Sequence, residues 1–204
     1  MAHVNSYDGF IFDFGGVLVH HQTDEDRARM AAIAGVPKDT FTELYWAMRL
    51  DYDKGSLSGT EYWQNLAFEG AKKTLDKQAI DRIIDLDNKS WMRFDPAMWQ
   101  WIDELRAAGK RIAMLSNMPL DLGTALKSQT DRLERFDQVT LSYEVRSAKP
   151  EPAIYEHCLE GLDTPPERTL FLDDRLPNVQ GAEFLGIRAM QFLDRDEVLL
   201  RLRG

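Results

Sequence analysis

The chain has 204 residues, 44% of them apolar, enough for one domain with a buried core or for a core carrying a small insert. Its net charge of −9 argues against non-specific nucleic-acid binding, which needs a basic face, and its single cysteine, Cys158, excludes an internal disulfide and any multi-cysteine metal site. No apolar run reaches the roughly 18 residues of a membrane span, and the N-terminus has neither the charged nor the apolar block of a secretion signal, so a cytoplasmic protein without a membrane partner is expected.

The first apolar run, at 10–14, predicts a buried strand that carries Asp13 at its end. Residues 20–92 then hold no convincing strand. They read as about four amphipathic helices, at 23–34, 37–50, 58–69 and 76–90, with a turn at Asp51-Tyr52-Asp53-Lys54-Gly55. A further helix starts at Asp95, which can cap it; Pro96 suits the first turn, Met98, Ile102 and Leu105 share a face, and Gly109 suits the end. Predicted strands at 111–115, 138–142, 169–172 and 188–192 follow, with helices beginning near Pro152 and Pro177. Alternating strand and helix predicts an α/β fold, a Rossmann-like parallel sheet covered on both faces. The predicted organisation is a core of residues 1–19 and 93–204, with a small helical domain at 20–92 inserted after the first strand.

Most of the chemically interesting residues fall where a predicted strand ends. Asp13 follows the first, Ser116 and Asn117 the second, and Asp173 and Asp174 the fourth; Lys149 precedes the helix after the third. In a parallel sheet those carboxyl ends share one edge, where ligands bind. Three carboxylates brought together repel one another strongly. A divalent cation relieves this, and hard oxygen ligands select Mg²⁺. Lys149, Ser116, the Asn117 amide and the helix N-terminus beyond Pro119 supply positive charge and donors for an anion. Such a set suits phosphoryl transfer, with Asp13 as the nucleophile that forms an aspartyl-phosphate for water to hydrolyse.

At these residues the chain resembles the haloacid dehalogenase superfamily of hydrolases. Phe12-Asp13-Phe14-Gly15-Gly16-Val17 resembles the first motif of that family, and Leu115-Ser116-Asn117 the second. Lys149 of Ala148-Lys149-Pro150 resembles the third, and Leu172-Asp173-Asp174-Arg175-Leu176-Pro177-Asn178 the fourth. The four stand in the family's order over nearly the whole chain, and the helical insert stands where the family's C1 cap stands. The Gly-Gly-Val-Leu form with paired acids is similar to the subgroup of sugar-1-phosphate phosphatases and epoxide hydrolase phosphatase domains. The resemblance implies Asp13 as nucleophile and metal ligand, with the Gly15 carbonyl and Asp174 as further ligands and Asp173 binding the metal directly or through water. It implies Ser116, Asn117 and Lys149 as holders of the phosphoryl group and Asn178 as a brace for the acidic loop. The expected activity is that of a Mg²⁺-dependent phosphatase on a small phosphorylated metabolite, such as a sugar phosphate, acting as a monomer or dimer.

Gly15 departs from the family's pattern, which usually has an aspartate there to protonate the leaving alcohol. General acid–base help is worth roughly 10²–10⁴-fold, so its loss suits a better leaving group: an anomeric hydroxyl, or an acyl or aryl phosphate. Alternatively His20 or His21, just past the first strand, stands in for it. Two rival functions remain: a metal-independent haloacid dehalogenase, which has no use for the Asp173-Asp174 pair, and a catalytically weak binding or regulatory protein. A mutase fits less well, since it too needs the missing acid. Trp46, Tyr52, Tyr62 and Trp63 either line a substrate pocket or pack the helical segment. Trp91, Trp99, Trp101 and Cys158 read as packing residues.

Overall fold

Strand β1 (Gly9–Phe12) is apolar on both faces, and each of its residues is buried, as the middle strand of a covered sheet must be. It heads a computed structural model that describes residues 4–203. The remaining strands are β2 (Arg111–Ser116), β3 (Gln138–Leu141), β4 (Thr169–Asp173) and β5 (Arg188–Gln191). All five pair in parallel, in the order β3-β2-β1-β4-β5, which is the Rossmann-like α/β arrangement expected. Phe10 and Phe12 point to one face, into a cluster with Met98, Trp101, Ile112 and Leu172. Ile11 points to the other, with Ala113, Tyr155, Cys158 and Phe171. This period of two packs both faces at once. Burial pushes the Cys158 thiol up to about 12, so it stays protonated and serves as packing.

Between β1 and β2 lie α1 (Asp24–Ala34), α2 (Lys38–Ala47), α3 (Arg49–Asp53), α4 (Gly59–Ala71) and α5 (Lys77–Ser90), followed by α6 (Pro96–Ala107). The first five enclose a cluster of their own, built on Phe41, Tyr45, Tyr62, Trp63 and Ile83. Their starts follow from capping. Thr23 pairs with Asp26, and Ser58 with Glu61, in reciprocal capping boxes, while Asp76 and Asp95 accept from the first-turn amides of α5 and α6. The helix expected over 37–50 is instead two, broken at Met48. The break lets Arg49 turn inward, and the expected turn at 51–55 shrinks to Lys54-Gly55, because Asp51 to Asp53 stay helical.

The second half adds α7 (Leu120–Gln129), α8 (Ser142–Val145), α9 (Pro152–Leu162), α10 (Leu176–Phe184) and α11 (Arg195–Arg203). Among the described residues no helix is long and apolar enough to cross a membrane.

The chain leaves the sheet for the helical segment and returns along two adjacent tracks. Val19 bridges Gly15 on one side and Phe94 on the other. The Gly16 amide donates to the Val19 carbonyl at 2.8 Å, the His20 amide to Arg93 at 2.8 Å, and the Asp95 amide to Leu18 at 3.0 Å. Trp99, as expected, is packing: its indole N–H donates to the Leu18 carbonyl at 2.9 Å.

Candidate active site

Sheet register decides which residues meet. Phe12 stands opposite Met114 and Leu172, so Asp13 falls level with Asp173, and Ser116 ends the neighbouring strand one step beyond. The Asp13 amide donates to the Leu172 carbonyl at 2.9 Å, which holds the residue after β1 against β4. Its carboxylate accepts from the Phe14 amide at 2.6 Å.

Lys149 closes the group from the third loop. Its Nζ lies 2.7 Å from Asp13 Oδ1 and 2.7 Å from Asp173 Oδ2. It also donates to the Leu115 carbonyl at 2.9 Å, so all three ammonium hydrogens are used within the protein. Asn117 fixes this lysine. Its Nδ2 donates to the Lys149 carbonyl at 3.0 Å and its Oδ1 accepts from the Lys149 amide at 2.8 Å. The Asn117 side chain therefore spends its amide on a neighbouring loop. Ser116 is different: its buried hydroxyl lines the pocket and takes no protein partner among the described residues.

Asp173 is wholly buried and receives the Arg175 amide at 2.8 Å, Asn178 Nδ2 at 3.0 Å on each oxygen, and Lys149. Asn178 thus sits as a brace beneath the acidic loop. Asp174 is the open acid of the three, with Oδ2 3.3 Å from His21 Nε2. One oxygen from each of Asp13, Asp173 and Asp174 falls within 4.8 Å of the others. Burial pushes the Asp13 carboxyl well up; Lys149 pulls it back, and the Asp173 and Asp174 charges add to the rise. Burial lowers the Lys149 ammonium, but Asp13 and Asp173 outweigh it and leave it raised. Three acids against one buried cation leave an excess of negative charge. A hard divalent cation with oxygen ligands fits both that excess and the donor set.

Gly16 adopts a left-handed φ of +76°, and a Cβ there would come within 2.6 Å of the His21 ring. A Cβ at Gly15 would lie 3.1 Å from Cζ3 of Trp91, whose indole covers the spot an acidic side chain would leave from. The two histidines separate. His21 lines the pocket, and its hydrogen bond to Asp174 raises its pKa against a smaller effect of burial, whereas His20 is exposed and outside the lining.

The pocket over these residues has a volume of about 550 Å³. From the helical segment it takes Trp46, Arg49, Leu50 and Asp53. Of the four aromatics read as either lining or packing, Trp46 lines the pocket, while Tyr52, Tyr62 and Trp63 are core. Trp91 is not only packing, because it lines the pocket too. Arg49 and Asp53 were missed. An arginine and an acid four residues apart on one helix were the available signal.

Arg49 anchors a buried polar network. Nε donates to Asp53 Oδ1 at 2.8 Å, and Nη1 to Asp87 Oδ2 at 2.9 Å and to the Tyr45 hydroxyl. Gln22 Nε2 reaches Asp87 at 2.8 Å and Ser90 at 2.7 Å. Burial pushes Asp53 up to about 6 from 3.8, outweighing Arg49. The folded chain therefore holds this proton more tightly than the unfolded chain does. The stability it gives is complete below about pH 4 and is lost as pH rises through about 6. Asp53→Asn lacks that loss, so from about pH 4 to about pH 7 it should gain on the parent by up to about 3 kcal/mol. Urea denaturation at the two pH values checks this; a pH-independent difference would refute it.

The family model "Hydrolase: haloacid dehalogenase-like hydrolase" matches residues 7–186. The sesquiterpene phosphatase astK of Aspergillus oryzae is 30% identical over 97% of this chain and 96% of that protein. The D-ribitol-5-phosphate phosphatase of Bacteroides thetaiotaomicron is 25% identical over 89% of each. In fold, the chain is similar to the HAD family enzyme bt-2542 of Bacteroides thetaiotaomicron, solved as a mutant in complex with magnesium and inorganic phosphate. That likeness has a TM-score of 0.74 at 23% identity, over 91% of this chain and 93% of the other.

Proposed function

The chain belongs to the haloacid dehalogenase-like hydrolases, and from that premise we propose that it is a Mg²⁺-dependent phosphatase working through an aspartyl-phosphate on Asp13. The observation that carries the reading is the Lys149 ammonium, shared between Asp13 and Asp173 beside the open carboxylate of Asp174. Phosphatase relatives, one of them 30% identical over nearly the whole chain, support it.

Asp13 attacks phosphorus in line; its bond to phosphorus forms as the ester oxygen leaves with the electron pair. Water then attacks the acyl phosphate, releasing phosphate and restoring the carboxylate. Asp13, Asp174 and the Gly15 carbonyl would hold Mg²⁺, which when bound neutralises the phosphoryl oxygens. Asp173 already takes hydrogen bonds on both oxygens, which favours contact through water. Ser116 offers its unpartnered hydroxyl to the phosphoryl group. Lys149 balances charge, and reaches that group by exchanging its Asp13 contact. Asn117 positions Lys149, and Asn178 positions Asp173. His21 lines the pocket and contacts Asp174, which supports it over the exposed His20 as the stand-in for the missing acid. Residues 20–92 act as the cap, a role supported by the six pocket residues they contribute: His21, Trp46, Arg49, Leu50, Asp53 and Trp91.

Phosphate release from a panel of esters, with and without chelator, tests the proposal. Chelation should lower the rate about a hundredfold or more, and added Mg²⁺ should restore it. Chelator-indifferent halide release from a 2-haloacid would replace it with the dehalogenase reading. Mg²⁺ binding without turnover would replace it with that of a regulatory protein.

A further inference from the structure

The lining is of two kinds. Its polar part includes Ser116 and Arg175, the latter next in sequence to Asp174 and forming no side-chain hydrogen bond or ion pair among the described residues. Its apolar part is Trp46, Leu50, Trp91, Met118 and Leu122. Trp46 and Leu50 are about half exposed, 48% and 50%, though each is large and apolar. The rings form a run: Trp46 meets Trp91 edge to face at 6.4 Å, and Trp91 meets His21 at 6.3 Å. Trp91 is pinned by its own N–H, which donates to the Tyr45 hydroxyl at 3.2 Å. Most polar side chains of this region are already taken, Arg49 by Asp53, Asp87 and Tyr45, His21 by Asp174, and Asn117 by Lys149, which leaves Arg175.

A sugar or polyol phosphate needs unpartnered donors and acceptors beyond the phosphoryl group, because each hydroxyl it buries must be hydrogen-bonded. The wall offers aromatic and aliphatic surface instead. Resting on the phosphatase reading, we propose that the substrate is the phosphate monoester of an apolar alcohol, isoprenoid or aryl, whose organic part lies along Trp91, Trp46 and Leu50. A cavity of about 550 Å³ holds a group of that size. The same indole explains Gly15: the side of the site that usually carries the acid carries a hydrophobic contact for the leaving alcohol.

The test measures kcat/KM for farnesyl phosphate, phenyl phosphate, ribitol 5-phosphate and acetyl phosphate with Mg²⁺ present. The better of the two apolar esters should exceed ribitol 5-phosphate by about tenfold or more, and the ranking of the two tells isoprenoid from aryl. Trp46→Ala and Leu50→Lys, both at half-exposed positions, should each narrow the farnesyl-to-ribitol ratio by about tenfold, chiefly through KM for the apolar ester. Ribitol 5-phosphate turned over as fast as the better apolar ester, or a ratio that neither variant moves, overturns the inference and leaves the phosphatase standing. No phosphate from any ester, acetyl phosphate included, overturns the phosphatase and this inference together.

Discussion

Asp13→Asn is expected to abolish phosphate release, by about 10⁴-fold or more, while the protein stays folded. The amide keeps the size of the carboxylate and can still accept from the Phe14 amide and Lys149 through Oδ1, so the surroundings need not shift. What it loses is the charged oxygen that attacks phosphorus, and removal of a nucleophile costs far more than removal of a binding group. Stability should move the other way. Burial and the neighbouring acids raise the Asp13 pKa above that of an unfolded aspartate. Its charged form is therefore a cost to the fold at neutral pH, and the stability its proton gives is lost as pH rises. A neutral isostere escapes that cost, so the melting temperature near pH 7 should match or exceed the parent's. Single-turnover phosphate release and thermal denaturation on the same preparation check both halves. Activity within tenfold of the parent would sink the nucleophile assignment.

The second large effect is on stability. Arg49→Met should cost about 3–5 kcal/mol at pH 7, because it strands buried partners rather than removing a surface contact. Asp53, Asp87 and the Tyr45 hydroxyl all lose their shared donor, and Asp87 is only 1% exposed. Without the guanidinium the Asp53 pKa rises further, so the penalty shrinks once pH falls below about 6 and that group is neutral. Adding Asp87→Leu to Arg49→Met removes the stranded charge and should recover part of the loss. Urea midpoints for the parent, the single variant and the double variant measure this. A loss below about 1 kcal/mol would mean that Arg49 is a rim charge and not the centre of the network.

How much of this was readable beforehand depended on sequence distance. The strands were legible because apolar runs such as Phe10-Ile11-Phe12 bury both faces, and the site was legible because its acids, lysine and hydroxyl sit where those runs stop. Edges moved by a residue or two: β1 ends at Phe12 because the Asp13 amide already turns to the Leu172 carbonyl. The Arg49 network was not legible, since Gln22, Arg49 and Asp87 are brought together only by helix packing across the whole insert. Trp91 was read as packing because nothing local says that the returning chain lays its ring over Gly15. Asn117 looked like a phosphoryl donor by position; its reciprocal pair with the Lys149 main chain appears only when the second and third loops meet.

The double bridge at Val19 has a mechanical consequence. Two free tethers would let the helical insert swing in several directions while leaving the catalytic loop undisturbed. Here the outgoing and returning tracks are zipped to each other and to Gly15 and Gly16, one and two residues past Phe14. A displacement of the insert would therefore pull on the loop that carries Asp13, at the Gly15 carbonyl and the Gly16 turn.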